Sequence, residues 1–171
     1  AVLCAASVVG NEPFAILLGD DMIDSEVPCT RQLADIYEKE GASVVGVMEV
    51  PAEDVSKYGM VGGKMLSPRL MHVDRLVEKP SPEDAPSRFA IPGRYVLSPT
   101  IFQCLRETKP GKGGEIQLTD GLQLLAQRER LLEYQYDVTR YDTGDLMVFI
   151  DATLAFALKR PDLAPGVQEI I

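Results

Sequence analysis

Two carboxylates stand side by side where a strand should end. Phe14 to Leu18 is an unbroken apolar run of strand length, and Gly19, Asp20 and Asp21 follow at once. Side chains at such a position lie on the ligand side of an α/β sheet. Either one of the pair caps a turn, or the pair contributes to a hard-cation site. Mg²⁺ takes oxygen ligands, uses one or two carboxylates, and leaves its other positions to water and phosphates. Asp142, in Tyr141-Asp142-Thr143-Gly144-Asp145, follows another strand pattern and is the natural second carboxylate. Glu78-Lys79-Pro80 closes a third. Neighbours on a regular strand point to opposite faces, but a kink at Pro80 lets both reach one pocket. There Glu78 would accept from hydroxyls and Lys79 would meet a phosphate as a point charge. The alternative is a solvated charge pair worth about 0–1 kcal/mol. Gly59, Gly93 and the Gly113-Gly114 pair suit either plain turns or close backbone approach to a ligand. His72, the single histidine, falls on a hairpin strand with no Ser or Cys partner in view. No GxSxG elbow, HExxH motif or Walker P-loop is present.

The elements that must position these residues follow from periodicity and punctuation. Ala1–Val9 reads as a helix closed by Gly10 and Asn11, and Phe14–Leu18 as a strand covered on both faces, as in a parallel sheet. Thr30–Glu40 is helical with Gly41 as its stop, and Ser43–Val50 is again a strand, which makes a βαβ unit. Pro51 opens a helical turn over Ala52–Lys57. Tyr58–Leu66 and Leu70–Glu78 form a hairpin around Ser67-Pro68, and Arg94–Leu97 is a short strand. Ser98 is positioned to cap a helix over Pro99–Glu107. Lys109–Gly114 is a flexible loop. Ile116–Arg128 is a helix with Leu118, Leu122 and Leu125 on one face. Leu132, Tyr134, Tyr136 and Val138 alternate with polar residues, as in a half-buried strand. Tyr141–Asp145 is a turn, and Leu146, Phe149, Ile150, Leu154 and Phe156 stripe a last helix. Such a stripe is either core or an oligomer surface. The pattern is an α/β sheet with an inserted hairpin.

Composition narrows the class. The chain has 171 residues, 46% hydrophobic and 25% charged, with a net charge of −9. That is the length of one domain and too apolar for a disordered chain. No Lys/Arg cluster marks a nucleic-acid face, although an acidic protein can still bind phosphates locally. Cys4, Cys29 and Cys104 are scattered, against a disulfide framework or a zinc site, and point to reduced cytoplasmic thiols. No apolar run approaches the ~20 residues of a membrane span, and the apolar start lacks the basic flank of a signal peptide.

These motifs together resemble the bacterial UTP–glucose-1-phosphate uridylyltransferases, or UDP-glucose pyrophosphorylases, of the sugar-nucleotidyltransferase superfamily. The stretches that match are PFAILLGDD (Pro13–Asp21), KYGMV (Lys57–Val61), LVEKP (Leu76–Pro80), GRYVLSPTIF (Gly93–Phe102), GGEIQLTDGL (Gly113–Leu122) and YDTGD (Tyr141–Asp145). They fall in the family's order and cover nearly the whole chain. The resemblance implies a Rossmann-like mixed sheet with helices on both faces. It implies Mg²⁺ on Asp20 and Asp142, a glucose hydroxyl on Glu78, and the sugar phosphate on Lys79. Gly59 and Gly93 become sugar-pocket glycines. Glu115 either positions the hexose or caps the following helix. Many members carry a Lys shortly after YDTGD, whereas Leu146 and Met147 follow here.

The family's GxGTR signature, which cradles the triphosphate, and its later GLGHA segment have no counterpart in this sequence. The chain is therefore expected to be one partial domain, residues 1–171, from the C-terminal portion of a longer enzyme, with part of its sheet left uncovered. The implied reaction is attack of glucose 1-phosphate on the α-phosphorus of UTP, giving UDP-glucose and pyrophosphate with Mg²⁺ and no protein nucleophile. The isolated chain is expected to be inactive, and the full-length protein a cytoplasmic homo-oligomer. A thymidylyltransferase or another sugar-1-phosphate nucleotidyltransferase is the nearest alternative. A non-catalytic sugar-phosphate-binding module is a further one.

Overall fold

The computed structural model describes residues 1–111 and 114–171. Lys112 and Gly113, and with them half of the Gly113-Gly114 pair, lie outside the described residues. In chain order the elements are α1 (Ala6–Val9), β1 (Phe14–Leu17), β2 (Asp21–Asp24), α2 (Cys29–Glu40), β3 (Ser43–Glu49), β4 (Gly59–Ser67), β5 (Leu70–Glu78), β6 (Phe89–Ile91) and β7 (Arg94–Leu97). After these come α3 (Thr100–Glu107), α4 (Leu118–Arg128), β8 (Leu131–Gln135), β9 (Thr139–Asp142), α5 (Leu146–Leu158) and α6 (Ala164–Ile170). Single 3-10 turns cover Val2–Ala5 and Ala52–Lys57.

Seven strands form one mixed sheet in the order β1-β7-β3-β6-β4-β5-β8, and β8 also pairs parallel with β3. The run β3-β8-β5-β4-β6 therefore returns to its start as a closed ring of five strands. β2 and β9 make a separate two-stranded ribbon. Helices cover the sheet from both sides. On one side α3 and α4 bring Ile101, Phe102, Leu105, Leu122 and Leu125 against Val45, Val47, Val61, Tyr95, Leu97 and Leu131. On the other, α2 brings Cys29 and Leu33 against Val44, Val96 and Leu132. Alternate residues of β3, β7 and β8 thus enter opposite cores, which is why these strands are apolar on both faces. Burial pushes the Cys29 thiol up to about 12, so it stays protonated.

The hairpin, the helix closed by Gly41 and the short helix before Gly10 lie where punctuation places them. β1 departs from expectation. It is an edge strand, antiparallel to β7, and its burial alternates instead of being complete. Leu17 is 54% exposed, because β1 has a neighbour on one side only. β1 and β3 still run parallel across the α2 connection, with β7 inserted between them. Ser98 is not the cap of α3. Its hydroxyl donates to Glu129 at 2.5 Å, and Pro99 holds the cap position. β8 is buried on both faces over Leu131–Glu133, not half-exposed, since both cores reach it. Tyr141 and Asp142, expected in a turn, end strand β9, and the turn begins at Thr143. α5 leaves Leu146, Met147, Phe149 and Ile150 exposed and fully buries only Ala152.

Candidate active site

One cleft of about 500 Å³ opens where the ends of β1, β5 and β9 meet the start of α4. Asp20, Gly59, Glu78, Lys79 and Asp142 all line it, joined by Tyr58, Thr119 and Arg140. Gly93 and Glu115 do not appear in its lining.

The two expected metal ligands meet through the β2–β9 ribbon. Asp21 pairs with Asp142 in the ladder, and the next residue on, Thr143, donates to the Asp20 carbonyl from its amide at 2.9 Å and from its hydroxyl at 2.8 Å. Asp20 is exposed. Asp142 Oδ1 accepts the Gly144 amide at 3.3 Å and Oδ2 accepts Arg140 at 3.0 Å. Among the described residues no three His, Cys, Asp or Glu side chains gather as a metal cluster. The protein thus offers two hard carboxylates on adjacent segments, open to a polar cleft. That donor set suits Mg²⁺, which needs few protein ligands when phosphates supply the rest. It does not suit a closed zinc cage.

Asp21 does different work. It is 2% exposed and lies between two guanidiniums: Arg94 at 3.2 Å from Oδ2, and Arg140 on Oδ1. Arg94 is itself buried and donates to the carbonyls of Leu18, Gly93 and Asp21. Burial raises the Asp21 carboxyl above its ordinary range, while the guanidiniums pull it down. The Asp21 carboxylate in turn lifts Arg140 and keeps it charged, against burial, which alone would lower it. Arg140 ties the two ribbon strands together through Asp21, and Arg94 of β7 fastens Asp21 to the sheet, so Asp20 and Asp142 stand on a fixed base.

Glu78 and Lys79 reach the same cleft because β5 ends between them. Lys79 has φ 44°, the left-handed region that a residue with a Cβ enters at a cost of about 1–3 kcal/mol. Its amide donates to the Tyr58 carbonyl at 3.0 Å, and Pro80 prevents continuation of the strand. The turn leaves Lys79 exposed in the lining of the cleft. Glu78 is held from two directions. The Thr119 hydroxyl donates to its Oε2 at 2.5 Å. A Cβ at Gly59 would fall 2.6 Å from Thr119 Oγ1 and 3.0 Å from Glu78 Oε2, so only glycine leaves room for this bond. Gly93, by contrast, lies under Leu18, where a Cβ would come within 2.9 Å. Glu115 does not cap α4, whose cap position is Gln117; the Glu115 carbonyl accepts the Gly111 amide at 2.8 Å.

Sequence reasoning missed Thr119 and Arg140 as parts of this site, and it offered Asp21 with Asp20 for a cation or a turn cap, whereas Asp21 is buried between Arg94 and Arg140 beneath the cleft. Arg140 had a usable signal: it stands two residues before Asp142, and i, i+2 on a strand share a face. Thr119 had none, since a Thr in the first turn of a helix looks ordinary.

A match to the nucleotidyl transferase family runs over residues 1–158. The chain is 46% identical over 175 aligned residues to a UTP–glucose-1-phosphate uridylyltransferase of Bacillus subtilis, covering 100% of this chain and 60% of that protein. A crystal structure of UDP-glucose pyrophosphorylase complexed with UDP-glucose superimposes with a TM-score of 0.87 at 44% identity, over 93% of this chain and 61% of that one. A UTP-bound UGPase from Acinetobacter baumannii gives 0.83 at 32% identity, over 99% and 59%. The chain spans about three fifths of the length of these relatives. No described helix is long and apolar enough to cross a membrane. By a match over most of its length, together with this mixed sheet, the chain belongs to the nucleotidyl transferase family.

Proposed function

We propose that this chain is the sugar-phosphate and metal-binding part of a UDP-glucose-forming nucleotidyltransferase. The observation that carries the reading is the convergence of Asp20, Glu78, Lys79 and Asp142 on one cleft. Lys79 binds the phosphate of glucose 1-phosphate, and Glu78 accepts from the hexose hydroxyls. The sugar phosphate is already an oxyanion, so the reaction needs no serine, cysteine or histidine nucleophile. Its obstacle is the approach of two anions, which at ~4 Å and an effective dielectric of ~20 repel by roughly 4 kcal/mol. Lys79 offsets that from the sugar side. Asp20 and Asp142 would hold Mg²⁺, which when bound neutralises charge on the nucleotide phosphates. Positioning and electrostatics then supply the rate.

The likeness of the relatives that carry UTP or UDP-glucose supports this substrate pair. Since the chain spans about three fifths of their length, we expect it to bind sugar phosphate without turning it over. Calorimetric titration tests this. Glucose 1-phosphate binds the chain, and Lys79→Ala weakens that binding by about tenfold or more, the loss of one charge-assisted contact. Equal binding by wild type and Lys79→Ala would sink the assignment. UDP-glucose made by the 171-residue chain from UTP and glucose 1-phosphate would refute the expected inactivity.

A further inference from the structure

Arg140 lines the cleft and carries a charge that the proposed reaction leaves unused. Its guanidinium is engaged on every side. Nε pairs with Asp21, one terminal nitrogen donates to Asp142 Oδ2 at 3.0 Å, and the other to the Tyr58 hydroxyl at 3.3 Å. The same group lies 5.4 Å from the centre of the Tyr58 ring, within cation–π range. Its side chain is 14% exposed, above an Asp21 that is 2% exposed. It cannot swing away without stripping a partner from a buried carboxylate, which is strongly unfavourable. Asp142 therefore carries a fixed cation on one of its two oxygens.

A divalent cation on the other oxygen would face that guanidinium across a single carboxylate, in a partly buried place where repulsion is weakly screened. The lining carries as many cations, Lys57, Lys79 and Arg140, as carboxylates, Asp20, Glu78 and Asp142, although Lys57 is also engaged by Asp54 at 2.6 Å and Arg140 by Asp21. A dication arriving alone gains little here. A dication arriving with a phosphate brings its own countercharge, and the phosphate meets Lys79.

We propose that Arg140 is a positioning residue that withholds Asp142 from a free divalent cation, so that the cation is held only together with a phosphate. This rests on the reading of Asp20 and Asp142 as metal ligands. The test is Mn²⁺ binding to the chain, followed by the paramagnetic resonance of free Mn²⁺, without and then with glucose 1-phosphate. Wild type binds Mn²⁺ weakly alone and more tightly with the sugar phosphate. Arg140→Gln binds Mn²⁺ alone about tenfold tighter than wild type, and Arg140→Lys, which keeps the charge, stays close to wild type. The double variant Asp21→Asn/Arg140→Gln removes the buried carboxylate's charge with its partner and should also tighten Mn²⁺, by less than tenfold because a nearby negative charge goes with the positive one; it covers misfolding of the single variant. If Asp142→Asn loses Mn²⁺ but neither variant lacking Arg140 tightens it, the role of Arg140 is overturned. If Asp142→Asn binds Mn²⁺ as wild type does, the metal reading itself falls.

Discussion

The Thr119 hydroxyl donates to Glu78 from a different element, α4. Removing it takes away the contact that orients the carboxylate toward the proposed hexose position. Thr119→Val should lower affinity for glucose 1-phosphate by about tenfold, the worth of one hydrogen bond to a charged group. Thr119→Ser should restore most of it, which a loss of packing alone would not allow; calorimetry on the three proteins decides. At this scale the sequence was informative where a residue follows a strand pattern. Asp20, Glu78, Lys79 and Asp142 were all found that way, and all line the cleft. The residues that hold them were hidden. Arg140 carries no mark of its own until the ribbon brings it to Asp21, which reads as a cap or a cation ligand beside Asp20 and not as a buried ion-pair partner, and Thr119 reads as a helix residue like any other.

Elements were legible in proportion to their length and purity. α2, α4 and the β4–β5 hairpin carry long patterns with clear stops. β2, β6 and β9 have three or four residues each, too few for a period to show, and their pairing partners are distant in sequence. α6 contains Pro165 and Gly166, both poor helix signals. α5 was legible as a helix, but its pattern left core and exposed surface both open, because its apolar residues lie on every side. Its start is well defined. Asp145 accepts from the amides of Met147 at 2.8 Å and Val148 at 3.1 Å. Asp145→Ala should cost about 1 kcal/mol of stability, with Asn nearly neutral, as denaturant titration will show. Because only the turn 143–145 separates Asp142 from α5, the same substitution should also loosen the Asp142–Gly144 turn.

At the scale of the whole molecule the ring of strands dominates, and it holds one unexpected group. Glu133 on β8 is 3% exposed, and its Oε2 has no hydrogen-bond partner among the described residues. In an alternating strand a Glu reads as a solvent-facing residue; here both neighbours of β8 and both cores close over it. Burial pushes its carboxyl up to about 8, from an ordinary 4.5. The folded chain thus keeps a proton that the unfolded chain releases. The stability this proton confers is complete below the ordinary value, declines as pH rises, and is gone once pH passes the folded-state value. Glu133→Gln, which cannot ionise, should match wild type near pH 4.5 and exceed it near pH 8 by roughly a few kcal/mol. Melting temperatures across that range should converge at the acid end; parallel curves would remove Glu133 as the cause. The ring also restricts evolutionary change. A strand in an open sheet can shift by two residues and adjust at its free edge. In this circle of β3, β8, β5, β4 and β6, such a shift in one strand must be matched by all the others before the last pairing can close. Insertions and deletions should therefore accumulate at the hairpin tip around Ser67-Pro68 and in the loops. The stretches that bring Gly59 and Glu78 to the cleft should keep their length even as their composition drifts.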